Sequence, residues 1–166
     1  MILEGVTEGL ARLFSGDAEV WGIVAVSLTV SGLATLIATA LALPVGLFVG
    51  AGRFRGRAAL RTLFNTLMAL PTVLVGLIVY ALLSRSGPLG DLDLMYSPAA
   101  MVVGRVILAF PIIAGFTAAG IEKADPRILQ TAYALGAGRA TALWTLAKEA
   151  RAAMMVAVAG GLGRGL

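Results

Sequence analysis

The chain has 166 residues, of which 59% are hydrophobic and only 13% charged, against about 45–50% apolar and 25% charged in soluble domains. Too few polar groups remain to cover a water-exposed surface, and with neither cysteine nor histidine present disulfides, Cys/His zinc sites, thiol nucleophiles and imidazole bases are excluded. The formal net charge of +4 comes from basic residues lying between apolar runs, which points to membrane topology and not to nucleic acid.

Residues 1–19 place Ile2, Leu3, Val6, Leu10, Leu13 and Phe14 at one-sided helical spacing, with Glu4, Glu8 and Arg12 elsewhere. This spacing predicts a short amphipathic helix lying at the membrane interface, ended by Ser15-Gly16-Asp17. No Lys or Arg precedes Glu4, so the basic start of a signal peptide is missing. A first span is expected from about Trp21 to Val49. It exceeds the ~20 residues a crossing needs, so it must tilt, kink or protrude. Pro44 is its kink candidate, and Gly46 with Gly50 forms a small-xxx-small pair suited to close helix contact. Arg53, Arg55, Arg57 and Arg61 follow, with no acidic residue among them.

A second span is expected from about Leu63 to Leu83, with Pro71 inside it. Asn65, Thr66 and Thr72 can either satisfy backbone groups freed by that proline or line a path. Ser84 to Pro98, with Gly87-Pro88 and Gly90, reads as an ordered turn-rich loop. Its Arg85, Asp91 and Asp93 read as a solvated turn more readily than as a cation site, because two carboxylates at i and i+2 are a weak metal signal. A third span is expected over about Ala99 to Ile121, with Pro111 inside. A proline frees a backbone carbonyl and bends a helix; Pro44, Pro71 and Pro111 can therefore serve as hinges, or reflect the ordinary use of proline in membrane helices. Arg105 lies within the third span. A cation there costs roughly 2.5–3.5 kcal/mol at mid-helix. It can snorkel to the nearer headgroups, or face a translocation path and attract an oxyanion.

Residues 122–151 are polar and much longer than a simple connection requires. Asp125-Pro126 is a helix start. Ile128, Leu129, Ala132, Tyr133 and Leu135 recur at helical spacing, and Gly136-Ala137-Gly138 is a stop and turn. Leu143, Trp144 and Leu146 mark a second helix. This helix-turn-helix can dock another protein, lie flat on the membrane, or pack on its own spans. A further apolar run, Ala152 to Leu166, is short for a complete span.

Basic residues set the orientation. Arg53, Arg55, Arg57, Arg61, Lys123, Arg127, Arg139, Lys148 and Arg151 follow the first and third spans, whereas Arg12 and Arg85 alone occupy the opposite side. The N-terminus is therefore expected outside and residues 122–151 in the cytoplasm. The spans contain no acidic residue, histidine or cysteine, which argues against a membrane-embedded enzyme. No Gly-x-x-x-x-Gly-Lys-Ser/Thr occurs, so ATP binding by this chain is not expected.

Gln130-Thr131-Ala132-Tyr133-Ala134-Leu135-Gly136-Ala137 resembles the EAA loop of ABC importer permeases, whose pattern is Glu-Ala-Ala, three residues, then Gly. Gln130 and Thr131 depart from it; Ala132 and Gly136 match. The general pattern goes on to Ile-x-Leu-Pro, where this chain has Leu146-Ala147-Lys148-Glu149. Lys148 to Arg151 is instead similar to a Lys-Glu-Ala-Arg stretch of the tungstate-type branch. Leu13 to Asp17, Asn65 to Met68, Leu82 to Gly90 and Asp125 to Arg127 point the same way. The resemblance implies an all-α, polytopic membrane protein: a type I ABC importer permease-like bundle, one domain over residues 1–166, with three full spans and an incomplete fourth. The Gly-x-Gly-Arg near the end lies where such permeases go on to further spans, so a longer protein is expected.

The resemblance implies a subunit that catalyses no reaction and binds no cofactor or metal. Its implied partners are an ABC ATPase subunit, an extracytoplasmic solute-binding protein, a second permease copy and the lipid bilayer. Gln130, Thr131, Ala132, Leu135, Gly136 and Ala137 would form the ATPase-coupling loop, and Arg105 and Thr72 are candidates for the substrate path. Tungstate is the expected solute, with molybdate, sulfate or phosphate as alternatives. A non-transporting membrane scaffold is the rival from another class.

Overall fold

A computed structural model describes residues 18–52 and 54–163. Residues 1–17, which carry nearly all of the expected interfacial helix together with Arg12, lie outside the described residues, as do Arg53 and Arg164. Ala18 and Glu19, the last residues of the 1–19 segment, begin the first helix described, α1 (Ala18–Ala51), three residues before the expected start at Trp21.

The described residues are helical, with no strand among them. After α1 come α2 (Arg57–Met68), α3 (Thr72–Leu83) and a single 3-10 turn at Gly90–Leu92. Then follow α4 (Pro98–Glu122), α5 (Pro126–Ala134), α6 (Arg139–Glu149) and α7 (Arg151–Gly163). Continuous apolar sequence makes helices here because each one satisfies its own backbone without water. Two helices, α1 and α4, are each long and apolar enough to cross a membrane, and α2 with α3 passes the same test as a pair.

At 34 residues, α1 is about 50 Å long at 1.5 Å per residue, well beyond a ~30 Å hydrocarbon core. It runs through Pro44, which is exposed. Likewise α4 runs through the buried Pro111. Ser97 caps α4, accepting from the amide of Ala100, with Pro98 in the first turn.

The second apolar segment departs from expectation. Leu63 to Leu83 is not one helix: α2 begins earlier, at Arg57, and meets α3 at a 98° bend. Pro71 causes the break. It lacks an N–H and its ring disfavours helical backbone at Leu70. The last turn of α2 tightens, with the amides of Ala69 and Leu70 donating to Thr66 and Leu67 carbonyls. Pro71 then supplies the carbonyl that starts α3, accepting from Leu74 and Val75. The bend lets each half find its own seat. Phe64 packs edge-on against Phe110 at 6.3 Å. Val75, Val79 and Leu83 line one face of α3 and pack with Leu108, Ala100 and the loop residues Leu94 and Met95.

Helices α1 and α4 lie side by side and parallel, and their seam is the main core: Ala38, Ala42, Val49, Ala109, Ile113, Ala114 and Ala118, with Phe64 of α2. Small residues set the separation. A Cβ added to Gly46 would lie 2.7 Å from the Ala114 carbonyl oxygen and 2.7 Å from Thr117 Cβ. One added to Gly50 would lie 2.7 Å from Ile121 Cβ. The small-xxx-small pair is thus a contact surface, and not merely glycine richness. Helix α7 returns antiparallel along α4: Gly120 faces Ala153, and Gly161 faces Ile113.

Gly50→Leu is expected to lower the thermal midpoint of the detergent-solubilised protein sharply, by overpacking worth at least about 1–3 kcal/mol. Gly32→Ala, on the same helix with nothing within 4 Å of the added atom, should leave it unchanged. Equal effects of the two in a fluorescence melt would refute the seam.

Candidate functional site

The end of α1, the start of α2 and the end of α4 converge on one guanidinium. Arg57 Nε donates to the Val49 carbonyl at 2.8 Å and one terminal nitrogen to the Gly50 carbonyl at 2.8 Å. The same nitrogen reaches Glu122 Oε1 at 2.5 Å. Arg61, one turn on, contacts Glu122 Oε2 at 2.9 Å. Carbonyls at a helix C-terminus have no internal partner and carry partial negative charge, so a guanidinium there satisfies both needs. The planar fork allows Arg57 to bond α1 and α4 at once. Arg57 and Arg61, read from sequence only as topology signals, are thus the joint between three helices. No sequence signal pairs them with Glu122, because the partner lies 65 positions away from Arg57.

Three residues beyond Glu122 the helix-turn-helix begins. Asp125 caps α5, its carboxylate accepting from the Arg127 amide at 2.9 Å, with Pro126 in the first turn. Gly136 ends α5 at φ +80°, a left-handed conformation natural to glycine. Its amide donates to the Tyr133 carbonyl at 3.0 Å and that of Ala137 to Ala132 at 2.9 Å. This pair is a Schellman motif. Helix α6 then packs back on α5. Ile121, Leu146 and Ala150, with Leu47, Ile128 and Leu129, form a small core that seats the unit on the ends of α1 and α4.

The expected coupling residues divide by exposure. Gln130, Thr131, Leu135 and Gly136 are exposed and Ala137 is half-buried, while Ala132 is buried. The small side chain of Ala132 therefore serves the inside of the unit. Leu135, at 82% exposed, projects furthest, with Tyr133 and Trp144 also on show. The Lys148 ammonium lies 5.7 Å from the centre of the Trp144 ring. A groove of about 630 Å³ opens between the end of α1 and the unit, lined by Phe48, Gly52, Leu129, Gln130, Tyr133 and Leu143 among others. Tyr133 and Trp144 were legible as helical apolar positions, but only the structure shows that they face outward.

The two path candidates are not brought together. Thr72 is exposed in the first turn of α3. Thr66 donates to the Thr62 carbonyl within its own helix. Arg105 is half-buried, and its guanidinium turns across to α1, where it donates to Ser31 Oγ. Thr35, Ala109, Gly161 and Leu162 surround it; Thr72 is not among them. In the loop, Asp91 and Asp93 are exposed.

Residues 42–162 match the family described as binding-protein-dependent transport system inner membrane component. The chain is 35% identical over 157 residues, 95% of its length, to a tungstate uptake system permease protein of Peptoclostridium acidaminophilum, covering 69% of that protein. It is 35% identical over 144 residues to a probable anion ABC transporter permease protein of Haloferax volcanii, covering 87% of this chain and 62% of that one. A molybdenum transport system permease protein of Escherichia coli is 28% identical over 137 residues, with 76% of this chain and 58% of that protein covered.

Glu122→Gln leaves Arg57 and Arg61 facing each other with no anion between them. It should lower the thermal midpoint more than Arg61→Gln, which leaves the Arg57–Glu122 contact in place; the reverse order would contradict the joint. Gly136→Ala should cost about 1–2 kcal/mol for left-handed backbone. Gly138→Ala, at φ −67° with open space around the added atom, should cost nothing measurable in the same melt.

Proposed function

The chain belongs to the family of inner membrane components of binding-protein-dependent transport systems, and on that premise we propose that it is the permease subunit of an ABC importer for an oxyanion, with tungstate first. The relatives named for tungstate, anion and molybdenum transport support the solute class. The observation that carries the reading is that the family match runs through a helix-turn-helix seated directly on the ends of the two longest spans. Such a unit can receive a push and pass it to the membrane.

In this reading α5 and α6 dock on a cytoplasmic ATPase through Gln130, Thr131, Tyr133 and Leu135. Gly136 and Ala137 set the turn that presents them, and Ala132 holds the unit together. ATP-driven movement of the docked unit reaches Glu122 through the short link to Asp125, and Arg57 carries it to α1 and α2. A solute-binding protein delivers the anion at the opposite face, and a second copy of the permease completes the path. The positive-inside rule supports an orientation with Arg55, Arg57, Arg61, Lys123, Arg127, Arg139, Lys148 and Arg151 in the cytoplasm and the N-terminus outside.

Transport by the complete system, with its ATPase and binding protein in proteoliposomes, tests this. Uptake of labelled tungstate should be competed by molybdate more strongly than by sulfate or phosphate. Leu135→Asp should lower uptake by about tenfold or more, as loss of an interface hot spot does, with unchanged membrane insertion. Full uptake by that variant would remove α5 from the coupling surface; failure of the chain to bind any ATPase would favour a scaffold.

A further inference from the structure

Arg105 is the eighth residue of α4, two turns from the Ser97 cap and inside the apolar stretch. Long basic side chains near a helix end ordinarily snorkel to the interface. This one turns instead into the seam and bonds Ser31, itself 5% exposed. The acidic residues of α1 and α4 sit at the ends of those helices, Glu19 in the first turn and Glu122 in the last. The guanidinium's partner inside the span is therefore a neutral hydroxyl. A hydroxyl offsets little of the cost of a cation at that depth.

The surroundings are small and polar on one side. Ser31 and Thr35 stand one turn apart on α1, and Ala34 and Ala109 leave room beside them. Further along the same helix, Thr39 Oγ1 is buried with no partner among the described residues, as is Thr117 Oγ1 where α4 meets Gly46. Unsatisfied buried hydroxyls are costly and call for an explanation. The remaining wall is the end of α7, through Gly161 and Leu162. With α7 in place the free space is about 10 Å³, room for one water at most.

Resting on the oxyanion-permease reading, we propose that Arg105, with the Thr35 hydroxyl nearby, is an intramembrane contact for a tetrahedral oxyanion, and that Ser31 is only a placeholder on the guanidinium. Ser31 fills the anion's place on the guanidinium while α7 closes the site. Withdrawal of α7 exposes a planar fork that bonds two anion oxygens, with the Thr35 hydroxyl beside it. The anion replaces a neutral acceptor by a charged one, so the site gains most from the solute itself.

The test uses the complete transporter in proteoliposomes, reading labelled tungstate uptake beside ATP hydrolysis stimulated by the binding protein. Arg105→Gln should lower uptake about tenfold or more, the worth of a charge-assisted contact, while stimulated hydrolysis and membrane content stay normal. Arg105→Lys should retain part of the uptake, and Ser31→Ala should retain nearly all of it. If Arg105 is only a strut between α1 and α4, Ser31→Ala will lose as much uptake as Arg105→Gln, and that result overturns the inference. Unchanged uptake in Arg105→Gln overturns it as well. A wild-type transporter that hydrolyses ATP under stimulation but moves no oxyanion overturns the functional reading, and this inference with it.

Discussion

The close approach of α1 and α4 through Gly46 and Gly50 is the constraint on which the rest of the structure depends. In a bilayer, burying a leucine against another helix gains little over burying it in lipid, so association rests on tight van der Waals contact. Glycine at the crossing allows that contact, because any side chain would meet the Ala114 carbonyl or the Thr117 and Ile121 side chains. Once the two helices touch there, everything at their ends is placed. Val49, Gly50 and Glu122 arrive at one level, within reach of a single arginine. At the far part of the seam, Ser31 comes opposite Arg105.

The joint at Arg57 then ties the ends of two packed spans together. A hydrogen-bonded guanidinium fixes the two helix ends in direction as well as distance, which an apolar contact does not. The helix-turn-helix stands on this joint through a small apolar core and a link of three residues, Lys123 to Asp125. Its outward residues are available to a partner, while Ala132, Leu146 and Ala150 face in. The bend at Pro71 has a related consequence. It separates α2, which belongs with the joint through Arg57 and Arg61, from α3, which belongs with the loop at the other end.

Much of the architecture was legible in the sequence, for reasons that are local. Apolar runs, the Asp125-Pro126 start and the Gly136 stop each act within a turn or two of backbone. Their spacing alone therefore specifies most of the helices, though not the split of the second span. The sequence by itself also determined that the chain lives in a membrane, since 59% hydrophobic residues leave too little polar surface for water. It also pointed to the family, through the resemblance in α5 and the turn after it taken together with Asn65 to Met68, Leu82 to Gly90, Asp125 to Arg127 and Lys148 to Arg151.

Only the tertiary structure decided what depends on distant residues meeting. It broke the expected Leu63–Leu83 span at Pro71, yet let Pro44 and Pro111 pass within intact helices, because Phe64 and Val75 have different seats to reach. It made Gly46 and Gly50 a contact, turned Arg57 and Arg61 from topology signals into a joint with Glu122, and sent Arg105 inward to Ser31. For the glycine pair and the arginines the deciding quantity is a distance across the α1–α4 seam, and for the Pro71 bend it is where α2 and α3 each pack; one-dimensional spacing carries neither.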